Sequence, residues 1–327
     1  MTEGNDEVMK IENLLKLTDW TMTEPVDGST FHLIVAIVGI LFAIITAVAF
    51  AGKQRLVVCG DKESQDKNYL QKRAYRIDLI IGLILLLSEI YKQFFRYFIV
   101  DGRHYHVEFV PFQLCSLPMY LCLINACLMH RHIKWESGQK NKCFTRSKEN
   151  QYTRNKYIKK QYTRKQYIKE FTEKIICAIN TFIIDFNLMG ALMVFVEPSG
   201  IFSKYVVLTW HGILWHLLIV FLGVYKGLTC RNTHLSMSSF CKTLPVFFAG
   251  CSIATILNII LHPYGFISMF YISPYEPSIQ IVFSDIATKC GIVAGNIAYI
   301  LAMLLGGFVF HGIFYCIQKV YLKRVQA

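Results

Sequence analysis

Seven apolar segments, each long enough to cross a bilayer, are joined by loops that are alternately rich and poor in lysine and arginine. A hydrocarbon core of about 30 Å needs about 20 helical residues at about 1.5 Å per residue. This pattern is typical of a polytopic membrane protein. The seven predicted spans are residues 31–51, 75–100, 109–129, 175–195, 206–225, 240–261 and 292–316.

The spans are predicted to be helices. In lipid, the backbone amides of a segment must be paired within that segment or within a closed barrel. The chain lacks the short segments of alternating hydrophobicity that indicate a barrel. It is also 54% hydrophobic and only 17% charged, unlike a soluble protein. The sequence therefore predicts an all-α fold, a polytopic membrane bundle of about seven transmembrane helices.

The distribution of basic residues predicts the orientation of the bundle. The connections 53–76 and 131–174 and the C-terminal tail are rich in lysine and arginine. The remaining regions outside the spans are acidic or poor in cations: residues 1–30, 101–108, 197–204 and 262–291. Because basic loops stay in the cytoplasm, we expect the N-terminus outside and the C-terminus inside.

This orientation divides the chain into two parts. Residues 1–30 form an acidic extracytoplasmic segment, and residues 31–327 form the seven-helix domain, with a basic cytoplasmic insertion at 131–174. The opening residues lack the basic region and cleavage site of a secretory signal, so we expect the first helix to target the chain to the membrane. The predicted location is the cell membrane.

The net charge of +12 lies mostly in the two basic loops. Basic residues beside a bilayer orient helices and bind anionic lipid headgroups, so the charge does not indicate a nucleic-acid partner. The longer loop contains a tandem decapeptide at 151–169, QYTRxxYIK repeated once. Two copies are too few for a solenoid. The repeat is interpreted as a solvated or lipid-contacting insertion, or as a docking site for an acidic partner.

The 11 cysteines show no C-x-x-C pair. Neither a disulfide framework nor a metal site is indicated, and the sequence points to no cofactor. Cys115 is distinct because it lies in the polar stretch 110–120, beside Gln113 and Ser116. Pro118 is predicted to kink this span and to free backbone carbonyls, which would present the thiol to a cavity. Alternatively, Cys115 only packs and Pro118 only bends the helix.

His211 is predicted at a depth similar to that of Cys115, because the third and fifth spans run in the same direction. A thiol and an imidazole are the minimum for nucleophilic thiol catalysis, in which the imidazole accepts the thiol proton. Alternatively, His211 makes a hydrogen bond between helices. His216 lies deeper and on another face of the same helix, and it is the weaker candidate for a base.

Further polar residues are predicted to line one chamber in the outer half of the bundle, because ionisable groups in lipid are costly and face one another or water. Internal ion pairing is the alternative, for example Glu89 with Lys92 or Arg96, or Arg96 with Asp185. The predicted chamber residues are Glu89, Lys92, Arg96, Asp185, Asn258 and His262.

Several motifs together carry a resemblance that covers nearly the whole chain except the basic insertion. They are DWTMTEP at 19–25, FHL at 31–33, PFQLCSLPM at 111–119, Glu197-Pro198 and Trp210-His-Gly. In their order and positions they resemble the YwaF-type integral membrane family. The resemblance to eukaryotic relatives of the TMEM type implies an acyltransferase that moves fatty acyl chains between phospholipids and ether lysophospholipids through a membrane cysteine and histidine. More distantly, the androgen-induced membrane hydrolases use a threonine and a histidine in a similar bundle.

Carried onto this chain, the resemblance implies that Cys115 is the nucleophile and His211 the base. Many family members have histidine where this chain has Gln113, so Gln113 is not expected to act as a base. Its side-chain amide is instead predicted to donate a hydrogen bond to the oxyanion that forms when the thiol attacks the ester carbonyl.

The sequence thus favours a lipid acyltransferase or hydrolase that acts on phospholipid acyl esters through a thioester acyl-enzyme. Lys92 and Arg96 are predicted to bind the headgroup phosphate. The main alternative is a small-solute transporter or ligand-binding protein that uses the charged chamber residues. A receptor is a third possibility that rests on topology alone.

Overall fold

The computed structural model describes residues 2–58, 63–143, 152–229 and 235–326, and in these ranges all regular secondary structure is helical apart from one isolated bridge between Thr21 and Tyr205. Most of the tandem repeat at 151–169 lies outside the residues whose side chains the structure describes. The helices are α1 (Thr2–Lys16), α2 (Thr30–Val58), α3 (Glu63–Phe95), α4 (Leu117–Cys143), α5 (Tyr152–Phe182), α6 (Leu188–Met193), α7 (Val206–Thr229), α8 (Met237–Leu261), α9 (Ile281–Cys290) and α10 (Ile292–Gln326).

The all-α membrane fold is confirmed, since six helical segments of the described chain are long and apolar enough to cross a membrane. The second predicted span, 75–100, lies on α3 and is not among the six, because Asp78, Glu89 and Lys92 interrupt its apolar run. The count of seven spans stays a prediction. The six segments are Thr30–Gly52, Leu114–Trp135, Gln166–Met193, Val206–Thr229, Met237–Tyr264 and Ile292–Val320.

Connections predicted on the same side of the membrane do meet at one end of the bundle. The Met22 backbone N–H donates to the Lys204 carbonyl over 2.8 Å, and the Arg103 guanidinium donates to the Glu12 carboxylate over 2.6 Å. At the other end, Gln318 donates to the Gly227 carbonyl over 3.0 Å. We call these the predicted outer end and the predicted inner end, because the orientation relative to the membrane stays a prediction.

The fourth predicted span lies at the centre of the bundle. Within Gln166–Met193, 72% of the most apolar window is buried, against 17% for α2 and α10. Its neighbours approach closely through glycine, because a Cβ added at Gly223 would lie 2.7 Å from Leu188 and one at Gly307 would lie 2.8 Å from Phe186. Small residues allow such close helix contacts in membranes, where apolar burial gives little driving force.

A buried polar cluster joins four helices towards the predicted inner end. Lys226 on α7 pairs with Asp78 on α3 at 2.5 Å, and Asn125 on α4 donates to Asp78 over 2.6 Å. Both Lys226 and Asn125 also donate to the Asn180 oxygen on α5, over 2.7 and 2.9 Å. All four residues are at most 5% exposed. Mutual pairing of this kind is what makes ionisable side chains tolerable at membrane depth.

Candidate active site

Cys115 lies just before α4, in a short 3-10 turn over Leu114–Ser116. The prediction that a helix already runs through 109–116 and is kinked by Pro118 is therefore wrong. Pro118 is the second residue of α4, in the first helical turn, where backbone N–H groups have no helical partner and the ring costs nothing. The thiol thus sits at the positive end of a long helix rather than inside it.

The turn that carries Cys115 is fixed by hydrogen bonds from two other helical segments. Asn187 Nδ2 donates to the Leu114 carbonyl over 2.8 Å, and Trp215 Nε1 donates to the Cys115 carbonyl over 2.9 Å. Asn187 is fully buried and ends the π-helical turn Ile183–Asn187 that joins α5 to α6. Successive carbonyls of the turn are therefore held by the central span and by α7.

A third contact fixes the residue at the start of the turn. Gln113 Nε2 donates to the Ser268 carbonyl over 2.9 Å, and its Oε1 accepts from the Phe270 N–H over 2.8 Å. The side chain thereby links the Cys115 turn to the connection between α8 and α9. This geometry places Gln113 between two backbone segments, and its role as an oxyanion donor stays a prediction.

The Cys115 sulfur is half-buried and has donors beside it. The Ser116 hydroxyl and the Lys92 ammonium are near the sulfur. Donors and positive charge beside a thiol favour the thiolate, which is the nucleophilic form of cysteine. That Cys115 acts as a nucleophile stays a prediction.

His211 lies in the second turn of α7, near the residues that contact Cys115. The centroid of its ring lies 5.4 Å from that of the Trp215 ring, and the ring is near the Ser88 backbone and the Lys92 ammonium. Its Nε2 is buried and has no hydrogen-bond partner in the described part of the chain. Cys115 and His211 therefore share Trp215 and Lys92 as neighbours, and one nitrogen of the imidazole is free to accept a proton.

His216 is in a different position on α7. Its Nδ1 lies 2.7 Å from the Gly212 carbonyl of the preceding turn, and its ring packs edge-on against Phe195. The Gly212 carbonyl can only accept, so it fixes the tautomer with the proton on Nδ1. Its Nε2, like that of His211, is buried and has no hydrogen-bond partner among the described residues, so the ranking of His216 as the weaker base candidate stays a prediction.

Each charged residue of the predicted chamber has an ion-pair partner, but only Glu89 and Lys92 pair with each other. Lys92 contacts Glu89 at 2.7 Å, which confirms one of the pairings considered from the sequence. Gln93 donates to both Glu89 and the Phe109 carbonyl, over 2.7 and 2.6 Å. The Arg96 guanidinium lies 3.3 Å from the centre of the Phe109 ring.

Arg96 pairs with Asp101 rather than with Asp185, at 3.5 Å. Asp185 belongs to a separate group, because its Oδ2 lies 2.9 Å from Nδ1 of His311 on α10. The other nitrogen of His311 lies 3.1 Å from the carbonyl of Ser236, which caps the start of α8 at the predicted inner end. Asp185 therefore bonds to His311 and to none of the other predicted chamber residues among the described contacts.

Asn258 and His262 lie near the connection that Gln113 contacts. The Asn258 side chain bonds both backbone groups of Met269, over 2.7 Å to the N–H and 3.1 Å to the carbonyl. The His262 ring stacks on Tyr275 with centroids 4.1 Å apart. Whether either residue contacts a substrate stays a prediction, and the geometry assigns Asn258 a role in shaping the connection.

Sequence reasoning assigned no role in the site to two residues that hold it, Trp215 and Asn187. Trp215 lies between the candidate bases His211 and His216, and Asn187 lies two residues after Asp185. The signal for Asn187 was a polar side chain at membrane depth, which needs a partner. Its partner is a backbone carbonyl exposed by the non-helical turn, and the sequence had assigned that turn to a helix.

The fold and this site define an all-α, multi-pass integral membrane protein with an anchored cysteine turn at one end of its bundle. The sequence profile of the TMEM164 family matches residues 28–284, more than half of the chain, and the chain belongs to this family. Comparisons with curated proteins and with solved structures return no match. The narrower resemblance to the YwaF-type proteins stays a prediction.

Proposed function

We propose that this protein is a lipid acyltransferase or hydrolase that acts on phospholipid acyl esters, with Cys115 as the nucleophile and His211 as the base. One observation carries the proposal. The Cys115 turn is held at three successive residues by different parts of the bundle, and an imidazole with a free nitrogen shares its neighbours. Fixed geometry of a nucleophile and a base is what covalent catalysis requires.

In the first half-reaction, His211 Nε2 accepts the proton of the Cys115 thiol as the sulfur attacks the ester carbonyl carbon. The C–S bond forms, and one electron pair of the C=O bond moves onto the carbonyl oxygen. The intermediate then collapses, the C–O bond to the lysophospholipid breaks, and the departing oxygen takes the proton from the His211 imidazolium. The product is an acyl thioester on Cys115.

The second half-reaction decides between transfer and hydrolysis. His211 accepts the proton of the acceptor, which is a lysophospholipid hydroxyl or water, as the acceptor oxygen attacks the thioester carbonyl. The C–O bond forms, the C–S bond breaks, and the thiolate regains the proton from the imidazolium. A lipid acceptor gives acyl transfer, and water gives a free fatty acid.

Lys92 and Arg96 are the cations near this centre that we propose to contact the headgroup phosphate. Each already has a carboxylate partner, and their side chains are only 25% and 24% exposed. A phosphate would therefore share these cations with Glu89 and Asp101 rather than meet unpaired charge. The same pairing is why a transporter that uses free charges in this chamber is the less favoured function.

The proposal is tested by acyl exchange in purified protein reconstituted in phospholipid vesicles. The donor carries an isotope-labelled acyl chain, and the acceptor is a lysophospholipid. Cys115→Ala should reduce exchange to background, and His211→Ala should reduce it by about 10²- to 10⁴-fold, the usual contribution of a general base. The matched control is Cys127→Ala, which removes an exposed thiol of α4. Exchange at the parent rate in Cys115→Ala would overturn the proposal.

A further inference from the structure

The connection between α8 and α9 enters the bundle at the predicted outer end. Its residues Ile267, Met269 and Phe270 are at most 2% exposed, although connections usually lie on the surface. Phe270 and Tyr271 both have φ of 56°, and they are two of the three non-glycine residues with positive φ in the described chain. Left-handed backbone at bulky residues is rare and concentrates at functional sites.

Two amide side chains hold this strained backbone in place. Gln113 bonds Ser268 and Phe270, and Asn258 bonds both backbone groups of Met269. The Phe270 ring also stacks on Phe112, with centroids 5.8 Å apart. The position of Tyr271 is therefore set from the same residues that begin the Cys115 turn, two positions from the thiol.

Tyr271 presents a hydroxyl with no hydrogen-bond partner among the described residues. Its ring packs edge-on against Tyr299 with centroids 6.0 Å apart, and the phenol interacts electrostatically with Cys115 and Glu197. Burial raises the pKa of Tyr271 above its usual value of 10.0. The phenol therefore stays protonated at neutral pH and can donate a hydrogen bond.

From the strained backbone, the double amide clamp and the unpartnered hydroxyl, we propose that Tyr271 is a catalytic residue that donates a hydrogen bond to the carbonyl oxygen of the lipid ester. The inference rests on the proposed function. As the Cys115 sulfur attacks, the C=O electron pair moves onto that oxygen, and the Tyr271 O–H stabilises the negative charge without transferring its proton. When the intermediate collapses, the pair returns to the C=O bond. Gln113 is then a positioning residue that acts through the Tyr271 connection.

The variant Tyr271→Phe keeps the ring and removes the donor. Loss of one oxyanion donor should lower kcat for acyl exchange by about 10²- to 10³-fold. KM should stay within about twofold, since the contact strengthens only when charge develops on the oxygen. The matched control is Tyr264→Phe, an equal change at a residue of the same connection that is 76% exposed and should keep the parent rate.

A second readout separates catalysis from structure. Iodoacetamide alkylates a thiol by displacement at a CH₂ carbon, with no charge developing on a carbonyl oxygen. The rate of Cys115 alkylation should therefore be unchanged in Tyr271→Phe while acyl exchange falls. Equal losses in both rates would make Tyr271 a structural support of the thiol, and an unchanged exchange rate would remove it from the chemistry. Either result overturns the inference.

The failure of the inference and the failure of the proposed function are distinguishable with Cys115→Ala in the same vesicles. If Cys115→Ala loses exchange and Tyr271→Phe does not, only the role of Tyr271 is wrong. If Cys115→Ala retains exchange, the thiol mechanism is wrong, and the proposed role of Tyr271 in it is wrong as well.

Discussion

Trp215→Phe removes the only side-chain donor to the Cys115 carbonyl among the described hydrogen bonds, an indole N–H at 2.9 Å. Trp215 is 6% exposed, so water does not readily replace the lost donor. Removing one partner of a buried hydrogen bond costs about 1–3 kcal/mol. Because about 1.4 kcal/mol corresponds to a tenfold change in rate, acyl exchange should slow about 5- to 150-fold if this loss falls on the geometry of the thiol.

The assay is the steady-state rate of acyl exchange in reconstituted vesicles, with kcat and KM measured separately. We expect the loss in kcat rather than in KM, because Trp215 bonds the Cys115 backbone carbonyl and not the lipid. Trp210→Phe is the matched control, since Trp210 lies on the same helix, is 42% exposed and contacts the Phe31 ring edge-on. Parent kcat in Trp215→Phe, or an equal loss in Trp210→Phe, would refute the reasoning.

Two further predictions concern stability. Lys226→Met leaves the Asp78 carboxylate buried without its cation and should destabilise the protein by about 3–5 kcal/mol. The double variant with Asp78→Leu should recover much of that loss, as measured by thermal unfolding in detergent. Additive losses of stability in the double variant would contradict the pairing. Hydrogen bonding by Arg103 lowers the pKa of Glu12 below its usual 4.5. This carboxylate therefore stabilises α1 at neutral pH and loses its contribution as the pH falls through the lowered pKa. Protection of the α1 amides should decrease below pH 4.5 in the parent and should decrease less in Arg103→Gln, in which Lys16 still contacts Glu12.

The helical segments and the alternation of the chain between two ends could be predicted from the sequence. Lipid requires long apolar helices with their own hydrogen bonds, and this requirement is local, so a window of sequence contains it. α2 and α10 illustrate this, because both are largely lipid-facing and both match the predicted spans. The prediction for α3 was harder, since the charges on it are neutralised by partners that are distant in sequence, such as Lys226 for Asp78.

The start of α4 could not be predicted for the same physical reason. The stretch 109–116 is apolar enough to read as helix, yet its backbone carbonyls are satisfied by side chains from elsewhere in the chain. Asn187 bonds Leu114 and Trp215 bonds Cys115. Non-helical backbone is tolerated at membrane depth only with such partners, and no local pattern reveals them.

The candidate site could be located from the sequence only in part, and its chemistry stays a prediction. Cys115 and His211 stood out because a thiol in a polar stretch and an imidazole at the same depth are unusual in lipid. Asp185 satisfied the same rule and lies in another group, paired with His311. Tyr271 lies in a connection that the sequence gives no reason to bury, and its left-handed backbone depends on clamps made by distant amides.

The most direct test of the account is the identity of the acylated residue. Reconstituted protein is mixed with the labelled donor, denatured within the first turnover, digested and examined by mass spectrometry. We expect the acyl mass on the peptide that contains Cys115, released by neutral hydroxylamine as a thioester is, and absent from Cys115→Ala. Acyl exchange that proceeds with the label on another residue, or with no acylated protein at any time, would contradict the claim that the anchored thiol is the nucleophile.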